Sequence, residues 1–314
     1  MASPRVSVCI ATYDQHRYIR QCIESVLAES TDNDLEVLVG DDCSVDGTSE
    51  IVSQMAKAYP DLIRHVRHSP RKGGVENVKA LLALATGEFI ARLDGDDYWL
   101  PGKLKHQLAY LAANPGCAAV YTNAITIDEA GNRIGVFNDA GEARFELAAM
   151  LRRGNFLNNS SVLFRSECIP PWLAIAGPLI DYRAHLLHAR RGYLAQLAEP
   201  LVVYRVNAQG SMVSEMNDYV RELYWEAILS VPREFVTDDD IAHGMADFFR
   251  RVIFRALNTG RWSLLRKWTP IVFDASPYGI VGTAFLTACS LLRVGSKELI
   301  GRCGSHRLKV LYRR

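Results

Sequence analysis

The 314-residue sequence has little that would indicate a disulfide-stabilised or zinc-binding protein. Its seven cysteines are scattered and odd in number, and no two of them form a Cys-x-x-Cys pair. These absences exclude a disulfide framework and a cysteine zinc site, and they fit a reducing compartment. The chain opens on a short apolar run of strand length and lacks the apolar core of a signal peptide. We therefore expect a cytoplasmic protein.

A large net charge is also missing, because 36 basic and 35 acidic residues balance to +1. The balance hides an asymmetry: residues 250–314 carry thirteen Lys and Arg and two acids, a net +11, which leaves −10 on residues 1–249. A basic tail with interleaved Leu, Val and Tyr predicts peripheral association with an anionic membrane surface, worth roughly 1 kcal/mol per basic residue. We expect no nucleic-acid partner, since the acidic front part would repel phosphates.

The first half alternates short apolar runs with amphipathic stretches. Runs at 5–11, 35–42, 62–68 and 88–94 predict four strands, and the stretches between them predict helices. Four strand-helix repeats favour an α/β fold with a parallel, doubly wound sheet and helices on both faces. In such sheets, ligands bind beyond the carboxyl ends of the strands.

Acidic residues are crowded where two of these strands end. Asp41 and Asp42 close the second strand, and Asp94, Asp96 and Asp97 close the fourth. Alternation along extended backbone predicts that Asp94 and Asp96 face one ligand and that Asp97 turns aside. Clustered carboxylates repel each other unless a cation neutralises them, and a hard divalent ion with phosphate oxygens would do so. The alternative is a helix cap or turn, but one cap needs only one acceptor.

At this point the residues resemble a known family. The successive motifs of family 2 glycosyltransferases of the GT-A fold resemble three segments of this chain: VSVCIATYD, EVLVGDDCSVDGTSEIV and GGVENVKALLALATGEFIARLDGDDYWLPGKLKHQ. The resemblance covers about residues 5–210. A lone Asp-x-Asp is weak evidence, whereas the ordered set is strong. It implies a Rossmann-like mixed sheet and an inverting, metal-dependent transfer of a sugar from a nucleotide-sugar, expected to be a UDP-sugar.

The resemblance also implies a role for individual residues. Asp42 would hydrogen-bond the base, with Asp41 beside it, and Asp14 stands where the family usually has Asn. Asp94 would meet the ribose or the metal, and Asp96 would be the principal ligand of Mn²⁺ or Mg²⁺. The other positions implied for the nucleotide-sugar pocket are Ala11, Thr12, Tyr13, Gly74, Asn77, Lys79 and Gly95.

The second half resembles the acceptor side of such enzymes. A long strand at 117–128 and a shorter one at 156–165 are predicted, and Asn158 and Asn159 would bind the acceptor or simply form a turn. Tyr204 and Arg205 match the family's Tyr-Arg, which implies contact with acceptor or phosphate. The acceptor would be a saccharide or a lipid-linked glycan.

The candidate catalytic base is Asp181. The family has a Glu-Asp pair at the start of a helix, whereas this chain has Ile180 and Asp181, so one acid is absent. A carboxylate at a helix N-terminus is held ionised by the dipole and can accept a proton. The alternative is that Asp181 only caps the helix. His185 and His188, which follow on the same helix, are interpreted as surface or packing residues rather than metal ligands.

The predicted organisation has three parts. Residues 1–115 form the nucleotide-sugar-binding half, residues 116–212 the acceptor-binding half, and residues 213–314 a basic, mainly helical C-terminal region. Eighteen uncharged residues at 275–292 reach the lower limit for a membrane span, but a polar stripe favours a helix packed on the domain or lying at a membrane surface. Two other functions stay open: a nucleotidyltransferase, and a catalytically silent nucleotide- or glycan-binding scaffold.

Overall fold

The first strand is buried on both faces, and this explains the layers around it. In the computed structural model, which describes residues 5–29, 35–177, 179–206, 217–302 and 309–312, Val8 and Ile10 pack into one apolar cluster and Cys9 into another. Successive side chains of a strand point to opposite faces, so these two clusters lie on the two sides of the sheet. The continuous apolar run in the sequence is the consequence of this double burial.

The predicted strand-helix repeats are confirmed. Parallel strands occur in the order β3-β2-β1-β4, joined by helical crossovers. Residues of α1, α2 and α4 pack into the cluster that holds Val8, and residues of α3 into the cluster that holds Cys9, which makes the sheet doubly wound. The elements are β1 (Val6–Thr12), α1 (Ile19–Leu27), β2 (Leu35–Asp41), α2 (Thr48–Ala58), β3 (Ile63–Arg67), α3 (Gly74–Leu84), β4 (Phe89–Asp94), β5 (Tyr98–Trp99) and α4 (Lys103–Ala113).

The second half extends this sheet and makes it mixed, as the resemblance implies. Strand β9 lies antiparallel between β4 and β6, and β10 runs parallel to β6. The predicted strand at 156–165 is shorter than expected, because residues 159–161 form a 3₁₀ turn in which Ser161 bonds the carbonyl of Asn158. The elements are β6 (Cys117–Ile127), β7 (Arg133–Asn138), β8 (Ala143–Phe145), α5 (Leu147–Arg153), β9 (Leu163–Arg165), α6 (Ile169–Leu173), α7 (Asp181–Ala189) and β10 (Tyr193–Arg205).

The C-terminal region is mainly helical, as predicted. The second of its helices starts with a capping box between Thr237 and Asp240 and stops at Gly260, whose φ of 67° suits glycine. The predicted boundary at 212/213 and most of the basic tail lie outside the described residues. The elements are α8 (Asn217–Leu229), α9 (Asp238–Thr259), α10 (Ser263–Ala275), α11 (Gly279–Arg302) and β11 (Lys309–Tyr312).

Among the described residues, this region contacts the rest of the chain through α8, α9 and β11, and α8 packs against α7, where the rings of Tyr224 and Tyr182 stack. Helix α9 packs against α5, and β11 pairs in parallel with β7 at the end of the sheet. Within the described ranges, no single helix is long and apolar enough to cross a membrane. Residues 263–275 and 279–294 pass that test only as a pair, and they are bent by 115° at the break between them.

A close backbone approach at Gly87 gives a test of the fold. A Cβ there would lie 2.6 Å from the amide nitrogen of Ser7 and 2.9 Å from the carbonyl carbon of Val6, both in β1. We expect Gly87→Ala to lower the free energy of unfolding by about 1–3 kcal/mol, because backbone has to move. Urea denaturation measures this. Gly116→Ala is the control, since its Cβ would meet only ordinary contact at 3.6 Å, and equal midpoints for the two variants would contradict the packing described.

Candidate active site

The carboxyl ends of three strands bring the predicted site residues to one edge of the sheet. In the strand register, Thr12 lies beside Asp41, and Ala11 lies beside Asp94. Residues that are far apart in sequence therefore meet where β1, β2 and β4 end. The predicted convergence of the strand ends is confirmed.

The acidic segment after β4 has a different backbone from the one expected. Residues 95–96 form a turn, and the amide of Asp97 donates to the carbonyl of Asp94 at 3.0 Å. The argument from extended backbone is therefore wrong here, although Asp94 and Asp96 still influence each other electrostatically. The turn requires Gly95, because a Cβ there would lie 2.5 Å from Oε1 of Gln15 and 2.8 Å from Oγ1 of Thr12.

Asp94 and Asp96 form the part of the site that suits a divalent cation. Burial raises the pKa of Asp96 to about 6, and the negative charge of Asp94 adds to the shift. Asp94 is partly open to solvent, with Nη2 of Arg92 3.4 Å from its Oδ1. In the part of the chain that the structure describes, no group of three or more His, Cys, Asp or Glu side chains forms a metal cluster. Two carboxylates nevertheless suit Mg²⁺ or Mn²⁺ that takes phosphate and water as its other ligands.

Asp97 turns away from the cleft and anchors the floor of the site. It is fully buried, accepts a hydrogen bond from the hydroxyl of Ser160, and accepts another from the amide of Arg205 at 2.9 Å. Burial raises its pKa well above the usual range, and the charges of Asp96 and Asp94 add to this, so the neutral acid is favoured. Ser160 also accepts from the amide of Asp94 at 3.2 Å. This serine joins the acidic turn to the 3₁₀ turn, a role that the sequence analysis did not assign.

Arg205 and Tyr204 lie at this floor but are held within the protein. The guanidinium of Arg205 donates to the carbonyl of Asp96 at 3.3 Å and to the carbonyl of Asp128 at 3.1 Å. Tyr204 packs edge-on against Phe137, with the ring centroids 5.2 Å apart. These contacts fit a role in shaping the site, and direct contact with acceptor or phosphate stays a prediction.

Asp42 organises the loop that borders the predicted base pocket. Its carboxylate accepts from the amides of Lys72 at 2.7 Å and Gly73 at 2.9 Å, and from Nε of Arg71 at 3.3 Å. The guanidinium of Arg71 also stacks on the ring of Tyr13, 3.6 Å from its centroid. Gly74 follows directly, as the first residue of α3. A nucleotide base that bonds Asp42 would therefore have to share or displace these contacts.

Asp41 and Asp14 are committed to local structure. Asp41 is fully buried and accepts from the amide of Ser44 at 2.9 Å. Burial alone would raise its pKa, but the neighbouring His65 and the bonds from Ser44 hold that pKa well below the usual range. Asp14 accepts from the amide of Val45 at 2.9 Å, which fastens the loop after β2 to the end of β1. Both side chains stabilise the loop after β2, which borders the predicted nucleotide pocket.

Asn77 and Lys79 are the predicted nucleotide contacts that the structure does not bring into the cleft. Asn77 is buried, with Nδ2 donating to the carbonyl of Gly40 at 2.8 Å and Oδ1 3.1 Å from Nε2 of His68. The ammonium of Lys79 donates to the carbonyl of Ile175 at 2.6 Å and pairs with a carboxylate on its own helix. Asn77 fastens α3 to β2, and Lys79 fastens it to the segment after α6.

Asp181 is the first residue of α7, and it lies close enough to Asp94 for the charge of Asp94 to raise its pKa. Ile180 occupies the cap position, so Asp181 is the first helical residue rather than the cap. Its side chain is reached by solvent, yet the surrounding protein displaces enough water to raise its pKa to about 6. The charge of Asp94 adds to the shift, and the guanidinium of Arg92 opposes it. The expectation that Asp181 is ionised and available as a proton acceptor stays a prediction.

Arg92 is a buried charged residue beside the candidate site that the sequence analysis missed. It lies buried on β4, two residues before Asp94, and its guanidinium is 5.6 Å from the ring centroid of Trp172. Among the described residues, its Nε has no hydrogen-bond partner. The sequence signal that could have identified it is the single basic residue in the mainly apolar strand FIARLD. Its guanidinium pairs with the carboxylate of Asp94, and its positive charge lowers the pKa of Asp181.

The two histidines of α7 are core residues rather than surface residues. Nδ1 of His185 lies 2.8 Å from the hydroxyl of Tyr121, and Nε2 of His188 accepts from the indole of Trp172 at 3.0 Å. Burial lowers the pKa of His185 to about 3 and that of His188 well below its usual range, so both are neutral. This network holds the helix that carries Asp181. The prediction that the pair does not ligate a metal agrees with these contacts.

The predicted acceptor contacts Asn158 and Asn159 are buried at the 3₁₀ turn. The carbonyl of Asn158 accepts from the amide of Ser161 at 3.2 Å, and that of Asn159 from the amide of Val162 at 3.3 Å. Within the described ranges, Oδ1 of Asn158 has no partner. The turn-forming alternative describes their backbones, and contact with an acceptor stays a prediction.

Comparison with known families decides the classification. The family described as Glycosyl transferase family 2 matches residues 7–165, half of the chain. The chain belongs to glycosyl transferase family 2. An uncharacterized protein of Mycobacterium tuberculosis, Rv1520, is 33% identical over 225 residues, which are 70% of this chain and 64% of that relative. The putative teichuronic acid biosynthesis glycosyltransferase TuaG of Bacillus subtilis is 32% identical over 140 residues, 45% of this chain and 54% of TuaG.

Solved structures show that this family 2 chain has the GT-A fold seen in two other proteins. Staphylococcus aureus TarS 1–349, in complex with UDP-GlcNAc, has a TM-score of 0.64 and 18% identity, and the match covers 95% of this chain and 92% of that one. The mannosyltransferase PcManGT of Pyrobaculum calidifontis, in complex with GDP-Man and Mn²⁺, has a TM-score of 0.54 and 18% identity, with 95% and 88% covered. These likenesses establish the fold.

The bond between Ser160 and buried Asp97 gives a test of the site. Ser160→Ala leaves Asp97 without one partner, and we expect the free energy of unfolding to fall by about 1–3 kcal/mol. Urea denaturation followed by circular dichroism measures the loss. Ser230→Ala is the control, because that exposed hydroxyl bonds the carbonyl of Ala227 at a helix end. If both variants unfold at the wild-type midpoint, Asp97 is not held as described.

Proposed function

We propose that this protein is an inverting, metal-dependent glycosyltransferase. It would move a sugar from a nucleotide-sugar, expected to be a UDP-sugar, to a hydroxyl of a saccharide or lipid-linked glycan. The observation that carries the proposal is the meeting of β1, β2 and β4 at one edge of the sheet, where Asp42 follows β2 and Asp94 and Asp96 stand at the end of β4. Burial is the main cause that raises the pKa of Asp96 and of Asp181, and the charge of Asp94 adds to both shifts, so Asp181 lies near this edge.

Asp94 and Asp96 are the residues that would hold Mn²⁺ or Mg²⁺. Carboxylate oxygens are the ligands these ions prefer. Burial, and after it the charge of Asp94, raises the pKa of Asp96, and a cation would favour its ionised form. A bound ion neutralises charge on the diphosphate that leaves with the nucleoside. The presence of Mn²⁺ in PcManGT, a protein of the same fold, supports this assignment.

The nucleoside would bind between β1 and the loop held by Asp42. Tyr13 is exposed there, and Arg71 lies across its ring, so an aromatic and cationic surface faces the end of β2. A planar base can stack on such a surface, and Arg71 can move because its side chain is largely exposed. The UDP-GlcNAc bound to TarS supports a uridine nucleotide as donor.

Asp181 would act as the general base. It would accept the proton of the acceptor hydroxyl while that oxygen attacks the anomeric carbon from the side opposite the departing diphosphate, which inverts the configuration. A pKa of about 6 suits this task, because Asp181 is then mostly ionised near pH 7 and still a useful proton acceptor. Arg92 limits the rise in that pKa and so preserves the ionised form.

The acceptor is proposed to be a glycan of cell-surface polysaccharide biosynthesis, modified at the cytoplasmic face of the membrane. The likeness to TuaG, which is named for teichuronic acid biosynthesis, supports this class of product. The cytoplasmic location is part of the proposal, and the odd number and scattered positions of the cysteines support it.

Replacing Asp181 tests the base. We expect Asp181→Asn to keep donor binding and to lose turnover by about 10²–10⁴-fold, measured as UDP release from UDP-GlcNAc with Mn²⁺ and an acceptor glycan. In the wild type, turnover should rise as pH increases through about 6, because Asp181 loses its proton there. Asp61→Asn is the control, because Asp61 is exposed and precedes the amino end of β3, whereas the site lies at the carboxyl ends of the strands. Normal turnover in Asp181→Asn would show that another group is the base.

Replacing Asp96 tests the metal site. Calorimetry of UDP binding with and without Mn²⁺ should show a metal-dependent gain in affinity for the wild type. We expect Asp96→Ala to bind UDP only as weakly as the metal-free wild type does, because one of two metal-binding carboxylates is gone. An unchanged affinity in the presence of Mn²⁺ would rule out the assignment of Asp96.

A further inference from the structure

Helix α11 has its polar face buried and its apolar face exposed. Its described side chains end at residue 294, and within them the polar Thr283, Thr287 and Ser290 are buried. Four large apolar side chains of the helix have exposed fractions of 70% (Ile280), 83% (Val281), 67% (Phe285) and 74% (Leu292). At 3.6 residues per turn, Val281, Phe285 and Leu292 lie on the face opposite the polar set, whereas Ile280 lies in the first turn on the polar side. A helix packed on a water-facing domain has the reverse arrangement.

Two of the three buried hydroxyls are satisfied within the helix. The hydroxyl of Thr283 donates to the carbonyl of Gly279 at 2.6 Å, and that of Thr287 donates to the carbonyl of Thr283 at 2.8 Å. These two threonines can therefore be buried at low cost where α11 packs against α9. Among the described residues, Oγ of Ser290 has no hydrogen-bond partner. The apolar face remains directed outward.

Further large apolar side chains are exposed in the neighbouring segments. Trp262 stands exposed at the start of α10, Ile271 is exposed within it, and Tyr278 is exposed at the corner between α10 and α11. Large exposed apolar surface is typical of an interaction site. Aromatic side chains beside an apolar helix face are typical of the boundary between lipid head groups and acyl chains.

The charge of the region favours an anionic bilayer over an apolar protein partner. Residues 250–314 carry a net +11, whereas residues 1–249 carry −10. The apolar face thus lies in the one part of the chain that anionic head groups attract and away from the part that they repel. A helix with an apolar face in a basic segment binds in the plane of such a surface.

We propose that α11 is a membrane-docking helix that inserts the face formed by Val281, Phe285 and Leu292 into the head-group region of an anionic bilayer. The proposal is independent of the reaction proposed above, because it concerns a different surface. Helix α9 packs against α11 and also against α5, and α5 packs against α7, which carries Asp181. Docking would therefore fix the acceptor side of the cleft relative to the membrane.

Insertion of an apolar face predicts a result that attraction by the basic tail alone does not. We expect the full chain to float with vesicles of phosphatidylcholine and phosphatidylglycerol, and to keep a measurable part of that binding in 0.5 M salt. The double variant V281S/F285S should lose at least about tenfold in its partition coefficient, because two large apolar side chains no longer enter the interface. Both side chains are exposed, so folding should be unaffected.

The control is Y59S/L229S, which removes two exposed apolar side chains from other surfaces and should bind vesicles like the wild type. Circular dichroism and release of UDP from UDP-GlcNAc check that each variant is folded, and they also separate this proposal from the catalytic one. Equal binding by V281S/F285S and the wild type would overturn the proposal. It would also be overturned if the wild type did not bind vesicles and sedimented as a dimer that V281S/F285S abolishes, since a second copy would then cover the face.

Discussion

The buried carboxyl group of Asp97 is the interaction on which the site depends. It is surrounded by protein, and its partners are the hydroxyl of Ser160 and the amide of Arg205. These two residues come from the 3₁₀ turn before β9 and from the end of β10, so one side chain joins three separate segments. Because an unpartnered polar group in such a place is costly, the three segments have to stay together. The turn that presents Asp94 and Asp96 is fixed as a result.

Around Asp97, the carboxyl groups of the site differ in protonation, and this difference reduces the negative charge that the site carries. Asp97 is driven towards the neutral acid, Asp96 has a raised pKa, and Asp41 is held ionised behind the pocket wall. Arg92 supplies a buried positive charge on the same strand that ends in Asp94. The remaining repulsion is located where a cation and a diphosphate would enter, and this preorganisation is what the proposed chemistry needs.

The sequence was sufficient for the order of strands and helices in the first half, because double burial produces long apolar runs and the crossover helices show clear periodicity. It was also sufficient to bring Asp41, Asp42 and Asp94 to one edge, since the ends of parallel strands must meet there. Prediction from the sequence failed where contacts between distant residues determine the local conformation. The turn after β4 depends on Gly95 packing against Thr12, and no local pattern reports that approach.

Side-chain roles were the least predictable part of the site. Asn77 and Lys79 lie in a segment that the family resemblance places near the nucleotide, but their bonds are to backbone carbonyls distant in sequence. The burial of His185 depends on Tyr121, which is 64 residues away, and spacing along a helix cannot show it. The polar stripe of α11 was visible in the sequence, whereas the face that it presents to the protein was not.

The pairing of β11 with β7 has a consequence for any shortened form of this chain. Strand β11 covers the hydrogen-bonding groups on one side of β7, which would otherwise be the last strand of the sheet. Removing the final residues would therefore leave β7 as a bare edge, open to pairing with strands of other molecules. If such a truncated protein aggregated, the uncovered edge of β7 would explain it, even where the truncation was designed to remove only the basic tail.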